Sequence, residues 1–152
     1  MQTRRQYLQQ SAIVAGMLAS TGLFPQFAHA AFNKAAFDAK SIADALKAYG
    51  AGAPSESKDV TITAPDIAEN GAVVPLGAST SLPNVKQLLI LVEKNPSSLV
   101  AMFNVTDSID AAVSTRAKMG QSSDVYAVAL TADGKALFAK KEVKVTLGGC
   151  GG

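Results

Sequence analysis

The only thiol of this 152-residue chain is Cys150, which stands between two pairs of glycine in the closing segment "GGCGG". Gly148, Gly149, Gly151 and Gly152 lack Cβ, take positive φ freely and lose the most conformational freedom on ordering, so the segment reads as a flexible arm and not as a packed cap. Fully extended, five residues span about 17 Å at roughly 3.3 to 3.6 Å each. No side chain flanks the sulfur, so a narrow channel could admit it. Ordering the arm costs on the order of 5 to 10 kcal/mol at roughly 1 to 2 per residue. A partner that engulfs it must offset this cost, which suits transient visits to several partners better than a permanent clamp.

An ordinary thiol is mostly protonated at neutral pH, and a terminal carboxylate nearby disfavours the anion further. No cation stands beside Cys150 in the sequence, so activation falls to a partner's positive charge or metal. This is the profile of a carrier of a covalently attached group. One cysteine can neither close an internal disulfide nor resolve a mixed disulfide, which argues against a thiol oxidoreductase. The terminal Gly-Gly of ubiquitin-like sulfur carriers is a different chemistry: it is activated with ATP inside the cell, and neither Cys150 nor the leader described next fits it. A prenylation box needs aliphatic residues where glycines stand here.

The elements that must position the arm lie downstream of a leader. "MQTRRQYLQQ" is followed by the apolar "SAIVAGMLASTGLF" and then by "AHA", a small-x-small cleavage pattern, so residues 1–30 read as a cleaved export signal. The apolar stretch, about 13 residues, is too short to span a bilayer. Arg4 and Arg5, followed by Gln6, Tyr7 and Leu8, match the twin-arginine signal, which exports folded proteins and implies a bacterial periplasm. The alternative is an ordinary secretory signal with two chance arginines.

Without residues 1–30 the 14 Lys+Arg become 12, against 12 Asp+Glu, and the net charge is zero. Nothing then favours nucleic acid or an anionic membrane. His29, the one histidine, leaves with the signal, and the chain has no Trp. A Ser-His-Asp or Cys-His catalytic pair and a Cys/His zinc site are thereby excluded, and no calcium-loop spacing of Asp is present. An all-carboxylate metal site stays open on composition alone, but the expectation is a non-enzyme with no catalytic, cofactor-binding or metal residues, whose one covalent site is Cys150.

Residues 32–49, "FNKAAFDAKSIADALKAY", space Ala39, Ile42, Ala43, Leu46 and Tyr49 for one amphipathic helix that Gly50 stops. Beyond the Gly/Pro/Ser connector after it come seven short apolar runs: "DVTITA", "GAVVPLGAS", "VKQLLILVEK", "SLVAMFNV", "AAVSTRAKM", "DVYAVAL" and "KALFAKKEVKVTL". Breakers separate them, among them Pro65, Asn70-Gly71, Pro83-Asn84, Asn95-Pro96 and Asp133-Gly134. Such spacing predicts a mainly β, antiparallel sandwich of immunoglobulin-like type. The organisation expected is a signal over 1–30, a helix within 31–50, a sandwich over 51–147 and the arm over 148–152.

Asp133-Gly134 marks a hairpin. Pro75 marks an edge strand or a bulge. Val143, Val145 and Leu147 alternate with Lys144 and Thr146, as in a half-buried last strand that delivers the chain to the arm. "LLILV" at 88–92 and "VYAVAL" at 125–130 are apolar on both faces, so a cover is expected from the N-terminal helix, a loop or a partner subunit.

On "ITAPDIAENGAVVPL", "LPNVKQLLILVEKNPSSL", "STRAKMGQSSDVYAV" and "KEVKVTLGGCGG", the chain resembles the SoxY family, the sulfur carriers of bacterial thiosulfate oxidation. The resemblance implies an immunoglobulin-like fold and a SoxZ-type partner subunit in the periplasm. It implies that Cys150 is joined to thiosulfate by a haem-containing cytochrome enzyme, that a dimanganese hydrolase releases sulfate, and that a sulfur dehydrogenase or another route removes the remaining sulfur. It makes the doubly apolar strands candidates for the SoxZ interface, with Ile90 and Val128 as test positions. The competing reading is a non-catalytic periplasmic sandwich that dimerises through Cys150.

Overall fold

In the computed structural model, which describes Arg4 and residues 33–106 and 108–147, the single helix expected over 32–49 is two helices. α1 spans Lys34–Asp38 and α2 spans Ile42–Ala48. Ser41 causes the break: its hydroxyl accepts the Asp44 N–H at 3.1 Å and donates to the Asp44 carboxylate at 2.6 Å, so a new N-cap forms where a continuous helix needs an interior residue. Ala39 makes the corner in an extended conformation. At the other end Gly50 takes φ +68°, its N–H reaches the Lys47 carbonyl at 2.9 Å, and the Ala51 N–H reaches the Leu46 carbonyl at 3.2 Å. This is the double hydrogen-bond pattern of a glycine-terminated helix. Asn33 ties the two helices together, donating from Nδ2 to the Ala48 carbonyl at 2.8 Å.

The strands are β1 (Ser55–Glu56), β2 (Val60–Thr63), β3 (Ile67–Asn70), β4 (Val74–Thr80), β5 (Val85–Val92), β6 (Leu99–Asn104), β7 (Ala112–Ala117), β8 (Ser123–Thr131) and β9 (Ala136–Leu147). All seven predicted runs are strands, and the short β1 and β3 are additional. One sheet runs in the order β1-β9-β8-β5-β6, with β3 also on β9, and the other runs β2-β4-β7. The pairing is antiparallel except for β1 and β3, which lie parallel to β9. The two sheets face each other as an immunoglobulin-like sandwich, the fold class read from the sequence.

The doubly apolar strands are explained by two separate cores. Leu88, Ile90 and Val92 of β5, with Val125, Ala127 and Ala129 of β8, point between the sheets against Val60, Val74, Leu76 and Met119. Leu89 and Leu91, with Val128 and Leu130, point the other way and are covered by Ala36, Ala39, Ala45 and Leu46 of the helical segment. The period-2 alternation of a strand sends neighbouring residues to opposite faces, so two apolar runs serve two cores. The loop before β6 pins the helices down: Ser97 Oγ donates to the Phe37 carbonyl, and the Ser98 N–H reaches the Ala39 carbonyl at 3.0 Å.

This corrects the interface expectation at Ile90 and Val128. Both are 0% exposed, Ile90 between the sheets and Val128 under the helices, so neither can meet a partner subunit. Pro75 is neither on an edge strand nor at a bulge. It sits in the central strand β4, opposite Arg116, where β2 has already ended and β4 has a ladder neighbour on one side only. The missing N–H is tolerated there. The Asp133-Gly134 signal is a hairpin between β8 and β9, with Gly134 at φ +81° and the Thr131 N–H bonded to the Lys135 carbonyl at 3.1 Å. Lys135 and the Thr131 hydroxyl hold the Asp133 carboxyl down at about 2.

Leu89→Ala, which empties a fully buried site under the helices, is expected to lower stability in urea melts by about 2 to 5 kcal/mol. Val128→Asp, which buries an unpaired carboxylate, is expected to abolish soluble folded protein instead of weakening a partner contact selectively.

Candidate functional site: the root of the arm

Gly148, Gly149, Cys150, Gly151 and Gly152 lie outside the described residues, as does Arg5, while Arg4 is exposed. What the structure describes is how the chain is delivered to them. β8 pairs with β9 only as far as Ser123 opposite Val143, so the last stretch of β9 needs other partners. β3 supplies them: Ile67 pairs with Lys144, Ala68 with Val145 and Asn70 with Leu147.

The hydrogen bonds alternate between the two edges. The Lys144 N–H reaches the Asp66 carbonyl at 3.0 Å, and the Thr146 hydroxyl donates to the Glu69 carbonyl at 3.0 Å on the β3 side. The Val145 N–H donates to Ser122 Oγ at 2.9 Å on the side that β8 has vacated. Lys141 Nζ adds a 3.0 Å ion pair to Asp66 and a 2.7 Å hydrogen bond to the Ala64 carbonyl, clamping the loop before β3. Side-chain burial follows the predicted alternation, with Val143 and Val145 inward and Lys144 and Thr146 outward.

The β3–β4 turn stands next to the root. Asn70 Oδ1 accepts the Ala72 N–H at 2.8 Å, and the Gly71 carbonyl accepts the Met119 N–H at 2.7 Å, which links this turn to the segment between β7 and β8. The arm is therefore rooted in a stretch held from both edges.

Sequence reading did not identify β3, Ser122 or Thr146 as the anchors. "DIAEN" between Pro65 and Gly71 is too short to show a period, and a lone hydroxyl gives no sign of the distant N–H that it caps. The Ser41-x-x-Asp44 capping signal was legible and would have located the helix break.

Elsewhere in the described residues the chemistry is sparse. No group of three or more His, Cys, Asp or Glu is placed to hold a metal. A cleft of about 860 Å³ along β2-β4-β7 is lined mostly by small and hydroxyl-bearing residues, with Arg116 as its one charged side chain. Tyr126 lies 5.5 Å from Phe138 between ring centroids, with Lys140 Nζ 5.9 Å over its ring. Burial first, and then the negative charge of Glu93, pushes the Tyr126 phenol up, so it stays protonated and is no general base at neutral pH. The Asp124 carboxylate, 3.2 Å from Lys140 Nζ, raises that ammonium and keeps it charged. None of these groups pairs a nucleophile with a base.

Comparison with known proteins adds four findings. The family model described as "Sulfur oxidation protein SoxY" matches residues 45–150. The solved structure of the sulfur carrier protein SoxY from Chlorobium limicola f thiosulfatophilum is similar at TM-score 0.64 and 37% identity, covering 70% of this chain and 97% of that one. A superoxide reductase (neelaredoxin) from Ignicoccus hospitalis, at TM-score 0.50 and 18% identity over 57% of this chain and 78% of that one, shares the fold alone. No curated protein matches the chain.

Ser122→Ala is expected to release the Val145 N–H. The loss of one hydrogen bond worth about 1 kcal/mol should speed amide exchange at that position by about fivefold. Exchange in β8 should stay unchanged when the two regions are read by mass spectrometry.

Proposed function

Because this chain belongs to the SoxY family of sulfur oxidation proteins, we propose that it is a sulfur carrier of thiosulfate oxidation that holds its cargo covalently on Cys150. The observation that carries this reading is positional. The one thiol of the chain closes the family match at residue 150, three residues beyond a strand end held from both edges. Cys150 is the attachment site, and Gly148, Gly149, Gly151 and Gly152 form the arm that presents it.

The chemistry comes from partner enzymes. The thiol and thiosulfate together give up one proton and two electrons, accepted by a haem-containing cytochrome partner, as a sulfur–sulfur bond forms and leaves a thiosulfonate on Cys150. Hydrolysis by a dimanganese partner cleaves the bond to the terminal sulfonate: water's oxygen leaves in sulfate, one proton is released and the other stays on a persulfide at Cys150. A sulfur dehydrogenase or another route then removes that sulfur.

This chain is the substrate in each step and not the catalyst, and it carries no cofactor of its own. It works as one subunit with a SoxZ-type partner in the periplasm, reached through the twin-arginine signal at Arg4 and Arg5.

Intact mass of the native protein from thiosulfate-exposed periplasm tests the assignment. Adducts of sulfur or thiosulfonate that reductant removes, and that Cys150→Ser lacks, are the expected result. A Cys150 that is unmodified, or present only as a disulfide dimer, sinks the carrier reading and favours the structural dimer. Replacing Arg4 and Arg5 by Lys is expected to retain the protein in the cytoplasm on cell fractionation, and normal export would overturn the twin-arginine assignment.

A further inference from the structure

Asn70 stands directly before Gly71, the only Asn-Gly pair in the chain. Every other asparagine precedes a residue that hinders attack by the next main-chain nitrogen: Asn33 precedes Lys34, Asn84 precedes Val85, Asn95 precedes Pro96 and Asn104 precedes Val105. A following side chain crowds that nitrogen, and proline has no N–H at all, whereas glycine leaves it open. The asparagine carboxamide is an electrophile within reach of the same nitrogen, so this pair can react with itself.

The fold leaves both groups available. The register of β3 on β9 buries Ala68 and leaves Ile67 and Asn70 exposed. Asn70 closes β3 as the partner of Leu147, and Gly71 begins the turn that follows. The Gly71 carbonyl accepts the Met119 N–H at 2.7 Å, but the Gly71 N–H donates to no group among the described residues. The Ala72 N–H donates to Asn70 Oδ1 at 2.8 Å. That bond closes a ring through the Asn70 side chain and the Gly71 main chain, and both reacting atoms, Asn70 Cγ and Gly71 N, belong to it. A donor on the carboxamide oxygen also stabilises the negative charge that develops there on attack.

We propose that Asn70 is a site of spontaneous deamidation in the folded protein, and that its isoaspartate product loosens the anchor that β3 gives to β9. The Gly71 nitrogen gives up its proton and attacks Asn70 Cγ. The Cγ–Nδ2 bond breaks, the side-chain nitrogen leaves as ammonia with that proton, and a succinimide remains. Water then opens the ring. Attack at Cγ gives aspartate, and attack at the main-chain carbonyl carbon gives isoaspartate. One water is consumed and one ammonia released, with no oxidant or reductant.

In isoaspartate the main chain runs through Cβ and Cγ, which inserts one methylene between the Asn70 Cα and the Gly71 nitrogen. The insertion falls between two attachments, the pairing of Asn70 with Leu147 and the bond from Met119 to the Gly71 carbonyl. It pulls one out of register with the other. The proposal is independent of what Cys150 carries.

The test ages mature wild-type protein in mildly alkaline and mildly acidic buffer and reads each asparagine by peptide mapping in a mass spectrometer. Amide loss is expected at Asn70 ahead of Asn84 and Asn104, faster in the alkaline sample, with isoaspartate as well as aspartate among the products. Gly71→Ala is expected to slow the loss by about tenfold, equivalent to roughly 1.4 kcal/mol added to the barrier by a crowding methyl group. The comparison among asparagines of the wild-type chain stands whether or not that variant folds.

The isoaspartate form, separated by chromatography, is expected to exchange the Lys144 amide about fivefold faster, as on loss of one hydrogen bond. Exchange in β8 should stay unchanged, and Asn70→Asp, which adds the charge without the methylene, should match wild type. Amide loss at Asn70 that is absent, or no faster than at Asn84 and Asn104, overturns the site. Aspartate without isoaspartate overturns the succinimide route. Unchanged exchange at Lys144 in the isoaspartate form, or an equal rise in Asn70→Asp, overturns the loosening.

Discussion

β9 has hydrogen-bonded neighbours on both of its edges, and the rest of the structure is arranged around that condition. On one edge β8 accompanies it from Ala136 to Val143, and on the other β1 meets Leu137 and Phe138 before β3 takes over at Lys144. The 12 residues of β9 thus run from the Asp133-Gly134 hairpin to the root of the arm, with β8 as ladder neighbour as far as Val143 and β3 from Lys144 onward. A strand left unpaired at its end frays and also invites pairing with other chains. Here the closing stretch is fixed instead, so the segment that follows starts from a defined position and direction.

Holding β9 in this way requires the chain to change sheets twice. It leaves β1 in the larger sheet, crosses to β2 in the smaller one, and returns as β3. The Ser57–Asp59 turn and the segment around Pro65 make the two crossings, and Lys141 secures the second through Asp66 and the Ala64 carbonyl. β5 and β8, at the centre of the larger sheet, are then buried on both faces, the second face by α1 and α2. The family match begins at residue 45, inside α2, whereas the cover also uses Ala36 and Ala39. Part of the second core therefore lies upstream of the matched segment.

A covalent carrier separates chemistry from packing. On the proposed carrier reading the sandwich needs no buried catalytic charge, because the reactive thiol of Cys150 lies beyond its last strand in the sequence.

The amino-acid sequence by itself determined the elements whose signals are local. Seven strands, the Gly50 stop, the Asp133-Gly134 hairpin, the inward set Val143 and Val145, and the lone thiol among glycines could all be read from periodicity, turn chemistry and residue type. Only the tertiary structure decided which elements meet. The parallel register of β3 on β9, the Ser122 hydroxyl beneath Val145, the exposure of Ile67 in place of Ala68, and the helical cover that removes Val128 from any interface join residues far apart in sequence. The physical reason is that a hydrogen bond or an apolar contact between distant segments leaves no periodic trace in either one. "DIAEN" is too short to choose its own face, and an apolar face records that it must be buried but not what buries it.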